Sequence, residues 1–219
     1  MPLHGRCVAS LAGAALAASL ACAGSAHASR APLAGFEGCG HPGYSYAGYE
    51  SATSGHGIAA TLSALSVPTV RKGHAAAWVG VGGAGADAWI QVGLVSVPEG
   101  GIRLYVEVTQ PGSGTRYREV AGRPNWWRAL VDGRPASSPV YVAPSGGRWH
   151  PIATAENWDG GTPTCNQFEY RFERVAISRA NGGEWRPFVR GFRFEDPGHR
   201  VLPLGTGTSF LARAAGATE

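Results

Sequence analysis

The sequence predicts an all-β protein: a sandwich of two packed antiparallel sheets. Three observations lead there. The 219 residues include 33 glycines and 15 prolines, so hardly any stretch beyond the N-terminus could hold a long helix. From Gly57 onward the chain reads as roughly ten strand-like runs separated by turn signals. Neighbouring runs also alternate apolar and polar residues with period two, which suits strands with one face buried. An apolar content of 44% excludes a disordered chain, and the glycines follow no G-x-y period, which excludes collagen.

The N-terminal end reads as a leader. Arg6 supplies a positive charge, Val8 to Ala23 is an uncharged run, and Ala26-His27-Ala28 is an A-x-A site, predicting cleavage after Ala28. That run is short and alanine-rich for a membrane span, and Ser19-Leu20-Ala21 before Cys22 is a poor lipidation box. The expectation is a secreted, extracellular protein with no stable membrane association. Cys7 and Cys22 would leave with the leader. Cys39 and Cys165 would remain, and two cysteines in an exported chain most simply form a disulfide. It would close a loop of about 126 residues, worth roughly 4 to 5 kcal/mol in the chain-entropy model. A metal pair or reactive thiol is the alternative, but neither cysteine has a ligand cluster nearby.

Residues 29–43 are then an N-terminal segment, 44–195 the sandwich domain, and 196–219 a C-terminal tail or a frayed last strand. Strands are expected at 57–67, 75–82, 88–97, 102–110, 115–121, 126–131, 138–143, 149–157, 167–178 and 185–195. Pro111-Gly112, Asp132-Gly133 and Asp159-Gly160-Gly161 are turn chemistry. Arginine and lysine outnumber aspartate and glutamate, 19 to 15, but Lys72 is the only lysine and the arginines are scattered. A nucleic-acid surface would cluster its charge, so none is expected. The expected state is a monomer.

The alternation in three neighbouring strands carries most of the functional information. Val79 and Val81 oppose Trp78; Ile90, Val92 and Leu94 oppose Trp89 and Gln91; Leu104, Val106 and Val108 oppose Tyr105 and Glu107. The aliphatic faces would meet the second sheet. The other face would be a groove lined by Trp78, Trp89, Gln91, Tyr105 and Glu107. A face buried under a loop, with the tryptophans as ordinary core, accounts for the pattern equally well.

Most catalytic signatures are absent: G-x-S-x-G, G-x-x-x-x-G-K, H-E-x-x-H and C-x-x-C do not occur. His41, His56, His74, His150 and His199 stand far apart and read as surface or packing residues, so no metal site is expected. Carboxylates remain. Glu107 lies on the groove face, and Glu156 shares a face with Ile152, Thr154 and Trp158. A carboxylate on an apolar or aromatic face is costly unless paired or used. An arginine salt bridge would account for Glu107, and a strand-end surface position for Glu156.

In order, Ala77-Trp78-Val79-Gly80-Val81-Gly82-Gly83, Trp89-Ile90-Gln91-Val92-Gly93, Tyr105-Val106-Glu107-Val108 and Ala155-Glu156 resemble the glutamic peptidases, or eqolisins. The resemblance covers roughly residues 44 to 180 and implies a concanavalin-like β-sandwich with a Gln/Glu catalytic dyad. Gln91 and Glu156 match the dyad, and Glu107 a supporting glutamate; Trp78, Trp89 and Tyr105 would line the site. Two departures stand out. Gly82 replaces the aspartate usual before the motif's final glycine, and Asn157-Trp158-Asp159-Gly160 turns where the family continues an apolar strand. The implied chemistry is peptide hydrolysis without metal or organic cofactor, on a polypeptide substrate, in acid. Ionised Glu156 would take a proton from water, while Gln91 would steady the oxyanion.

Two other readings remain open. A non-catalytic, lectin-like sandwich could bind polysaccharide or peptide in the same groove. A glycoside hydrolase needs two carboxylates flanking one bond, and Glu107 and Glu156 lie on separate strands with no E-x-D-x-x-E run.

Overall fold

The computed structural model describes residues 43–83, 89–109, 126–141, 149–161, 166–189, 191–205 and 208–214. The leader, Cys39, Cys165 and the expected strand at 115–121 lie outside these residues. The described part is all β, without a helix. The strands are β1 (Tyr44–Ser51), β2 (Gly57–Ala64), β3 (His74–Gly83), β4 (Trp89–Val97) and β5 (Gly101–Thr109). Four two-residue pieces follow: β6 (Trp126–Trp127), β7 (Leu130–Val131), β8 (Arg134–Pro135) and β9 (Val140–Tyr141). Then come β10 (Trp149–Trp158), β11 (Glu169–Ser178), β12 (Trp185–Pro187), β13 (Gly191–Glu195), β14 (His199–Leu204) and β15 (Ser209–Ala214).

A six-stranded sheet runs in the order β13-β1-β10-β3-β4-β5, and a five-stranded sheet in the order β12-β11-β15-β14 with β2 also paired to β11. The pairings are antiparallel. The two sheets fill the space between them by opposite means. The larger contributes small side chains (Ala47, Ala75, Ala77, Ala153, Ala155), and the smaller contributes Phe168, Tyr170, Phe172, Ile177 and Phe210. Aromatics on one wall thus meet alanines on the other, so large and small side chains complement each other in volume across the sandwich.

Several expectations are corrected. No strand was expected at 44–51, yet β1 lies inside the large sheet, bonded to β10 and β13. Its tyrosine–small-residue alternation lacks the aliphatic signature of a strand, and its two partners hold it. The expected strand 185–195 is two: β12 joins β11 in one sheet, β13 joins β1 in the other, and buried Phe188 anchors the crossing. The expected tail carries β14 and β15, with Val201, Phe210, Ala212 and Ala214 in the core. The run at 126–131 and the described part of 138–143 hold only two-residue pieces.

The aliphatic faces also divide. Val79 and Val92 pack in the inter-sheet core, whereas Val81, Ile90 and Val108 join Trp127 and Trp149 in a second cluster. Leu104 is 62% exposed. The smaller sheet has five strands against six, and the β4–β5 side is packed by tryptophans outside it.

Gly93 is fixed by the approach of β3. A Cβ there would collide with the Ala77 carbonyl oxygen and lie 2.7 Å from Trp78 Cα. Gly93→Ala should therefore lower stability by about 1–3 kcal/mol, read as a fall in thermal midpoint. An unchanged midpoint would show that β3 and β4 are less tightly apposed than described.

Candidate active site

The outer face of the large sheet collects every second residue of its strands, and the register orders them in rows. One row holds Tyr44, Trp158 and His74; the next holds Tyr46, Glu156 and Ala76. A third holds Thr154, Trp78, Gly93 and Tyr105, and a fourth Ile152, Gly80, Gln91 and Glu107. The last holds His150, Gly82 and Trp89. Trp78, Trp89, Gln91, Tyr105 and Glu107 therefore share one face, as the alternation implied, and the β3–β10 register adds Glu156 to it. Gly93 and Gly80, on that face beside Trp78 and Gln91, leave the middle of the sheet free of side chains.

Glu156 is 6% exposed, and both its oxygens are held. His74 Nε2 lies 2.7 Å from Oε1, and Trp78 Nε1–H donates to Oε2 at 2.9 Å. A carboxylate can only accept, so His74 carries a proton on Nε2 in this contact. Two donors compensate the burial of the negative charge. Gln91 is 3% exposed, and its Nε2 donates to the Tyr105 hydroxyl at 3.0 Å and to Glu107 Oε2 at 3.2 Å. No hydrogen bond joins Gln91 to Glu156; the Trp78–Gly93–Tyr105 row stands between them.

The two clusters are nonetheless coupled by charge. Burial pushes the Glu107 carboxyl above its ordinary range, and the negative charge of Glu156 pushes it further. His74 and the Gln91 hydrogen bond pull it back. Burial and the same carboxylates raise the phenols of Tyr44, Tyr46 and Tyr105, which stay neutral. Among the described residues no arginine pairs with Glu107, which instead accepts from Gln91 Nε2.

Sequence reasoning missed His74, which it read as a surface or packing residue. It also missed the aromatic wall beside it: Tyr44 stacks on Tyr46 with ring centres 6.1 Å apart, and on Trp158 at 6.1 Å, with His74 edge-on to Tyr44. The signal for His74 was present, because it precedes Trp78 by four residues and so lies on the same face. Trp89 is buried on that face.

Gly82 leaves usable space. A Cβ would touch Trp89 Cβ at 3.6 Å, an ordinary contact, so neighbouring packing does not fill the place of the absent carboxylate. His150, opposite Gly82, turns to Glu50 and the Ser51 carbonyl. A cavity of about 500 Å³ opens beside Tyr105, lined also by Leu104, Val131, Ala136, Ser137 and Ser138. No metal-holding group of His, Cys, Asp or Glu occurs among the described residues.

No protein-family model matches the chain, and neither does any curated protein. Solved structures do. One is scytalido-glutamic peptidase with a peptide-based transition-state analogue, at a TM-score of 0.53 and 16% identity. A second is scytalido-glutamic peptidase with a transition-state analogue inhibitor, at 0.54 and 12%. Each alignment covers 78% of this chain and 98% of that chain. The chain has the fold of the glutamic peptidases. SCP-B, an eqolisin in complex with the tripeptide Ala-Ile-His, is similar at 16% identity and a TM-score of 0.49. At such identities the likeness is one of fold, and the chemistry rests on the residues of the groove.

Proposed function

We propose that this protein is a secreted, acid-acting endopeptidase that uses Gln91 and Glu156 to direct water onto peptide bonds. The observation that carries the reading is Glu156 itself: a buried carboxylate on the groove face, fixed by His74 and Trp78 and sharing that face with Gln91. Each Glu156 oxygen keeps a further lone pair, so the carboxylate can hold a water and take its proton. Gln91 donates an N–H to the oxyanion that forms, and protonated Glu156 then gives its proton to the leaving amine. The glutamic peptidases of the same fold were solved with transition-state analogues, one of them peptide-based, which agrees with a polypeptide substrate. The test is hydrolysis of a denatured protein in acid by wild type, Gln91→Ala and Glu156→Gln. Cleavage lost in both variants supports the dyad; equal background in all three refutes it.

The stacked Tyr44, Tyr46 and Trp158 favour a second reading, a lectin-like module that binds polysaccharide or peptide without cleaving it. Binding that survives Glu156→Gln, with no hydrolysis by wild type, would establish it.

Export with cleavage after Ala28 and a Cys39–Cys165 disulfide belong to the same proposal. Gly43 N donates to Asp159 Oδ1, and the Asn166 amide donates to the Trp158 carbonyl, so the described residues nearest the two cysteines meet at one segment. Mass spectrometry of the secreted protein should find Ser29 at its N-terminus and one Cys39–Cys165 cross-linked peptide. Free thiols at both positions would refute the pairing.

A further inference from the structure

The Gln91 amide faces the wrong way for its proposed task. Its two N–H groups are committed to Tyr105 and Glu107, and its Oε1 has no partner among the described residues. An oxyanion needs a donor, and in this arrangement no N–H is left to give.

The partner across the strand pair explains how the amide could turn. Glu107 stands directly opposite Gln91 in the β4–β5 ladder. An ionised carboxylate is acceptor-only and must hold Nε2. A neutral carboxyl carries an O–H and can donate to Oε1, and the Tyr105 hydroxyl can donate to the same oxygen. Either set of partners satisfies the buried amide, so turning it over costs no hydrogen bond at this end.

We propose that Glu107 is a positioning residue whose protonation turns the Gln91 side chain, so that its N–H groups face the substrate only when Glu107 is neutral. The proposal rests on the reading of Gln91 as the oxyanion donor. The surroundings on balance favour the neutral form beyond the range of a free glutamate. Burial and the charge of Glu156 on β10 both raise the Glu107 carboxyl, and His74 on β3 opposes them. The phenols of Tyr105 on β5 and of Tyr44 and Tyr46 on β1 remain neutral and add no charge. Arg103, also on β5, is turned to the Gly100 carbonyl. A raised carboxyl loses its proton at higher pH than a free glutamate. The productive orientation therefore persists through acid pH and is lost as pH rises past that point. Glu107 therefore sets the alkaline limb.

The test couples an activity profile to a direct view of the amide. The chain contains three glutamines, Gln91, Gln110 and Gln167, so side-chain amide labelling with nitrogen-15 gives few signals, and Gln91→Ala assigns the one of interest. In wild type the Gln91 amide pair should titrate with the same midpoint as the alkaline limb of kcat/KM. That limb falls about tenfold per pH unit for a single ionisation. Glu107→Gln should flatten both curves. His74→Gln should move the limb to higher pH without removing it, because a charge opposing protonation has gone. An amide signal that does not titrate, or that still titrates in Glu107→Gln, overturns the proposal. So does an alkaline limb that persists in Glu107→Gln. Wild type inert at every pH would refute the peptidase reading instead, and the amide titration would still decide whether Glu107 turns Gln91.

Discussion

Glu156→Gln should lower kcat/KM on a denatured protein substrate by about 10²- to 10⁴-fold, the usual contribution of a positioned general base. The substitution keeps shape and volume but removes the negative charge. An amide oxygen can still accept from His74 or from Trp78, but not from both through separate oxygens, so one donor meets the amide N–H. That mismatch costs about 1–3 kcal/mol of stability, and the thermal midpoint should be measured beside the kinetics. The two effects separate cleanly, because a variant that remains folded at the assay temperature loses rate only through the missing base. A Glu156→Gln protein as active as wild type would remove the dyad. Loss of activity that tracks unfolding alone would reduce Glu156 to a structural role.

Removing the chain after Asp196 should abolish folding. The deletion takes β14 and β15, and with them buried Val201, Phe210, Ala212 and Ala214. Phe210 stacks on Phe172 with ring centres 4.4 Å apart and meets Tyr49 of β1 at 5.0 Å, so it touches both sheets. Losing a buried phenylalanine costs about 3–5 kcal/mol, and the other three side chains add several more. The total is comparable with the 5–15 kcal/mol that typically holds a domain together. The cut also strips the β15 partner from Glu169–Phe172 of β11, leaving its backbone edge unpaired and open to aggregation. Circular dichroism and limited proteolysis of the truncated protein decide the matter. A cooperative melt near the wild-type midpoint would mean that the last two strands only decorate the sandwich.

These two predictions draw on differently legible parts of the chain. The Gln91, Glu107, Tyr105, Trp78 face could be read from the period-two pattern, since a strand sends alternate residues to one side whatever surrounds it. His74 could have been read by extending that pattern four residues backward. The C-terminal strands could not. Pro203 and Gly205 interrupt the run, Arg200 and Arg213 punctuate it, and only the pairing with β11 makes it sheet.

Period two, turn residues and glycine content led to an all-β sandwich and to the side chains of β3, β4 and β5 that share one of its faces, while the assignment of chemistry to Gln91 and Glu156 came from the resemblance to the glutamic peptidases. Local spacing carries that much because side-chain direction in a strand is a property of the backbone. The tertiary structure decided the rest: which strands are neighbours, that alanines on one sheet face aromatics on the other, that His74 and Trp78 hold Glu156, and that Glu107 holds Gln91. Each of these is a contact between residues distant in sequence, made by strand order and register, and none is written in any single strand.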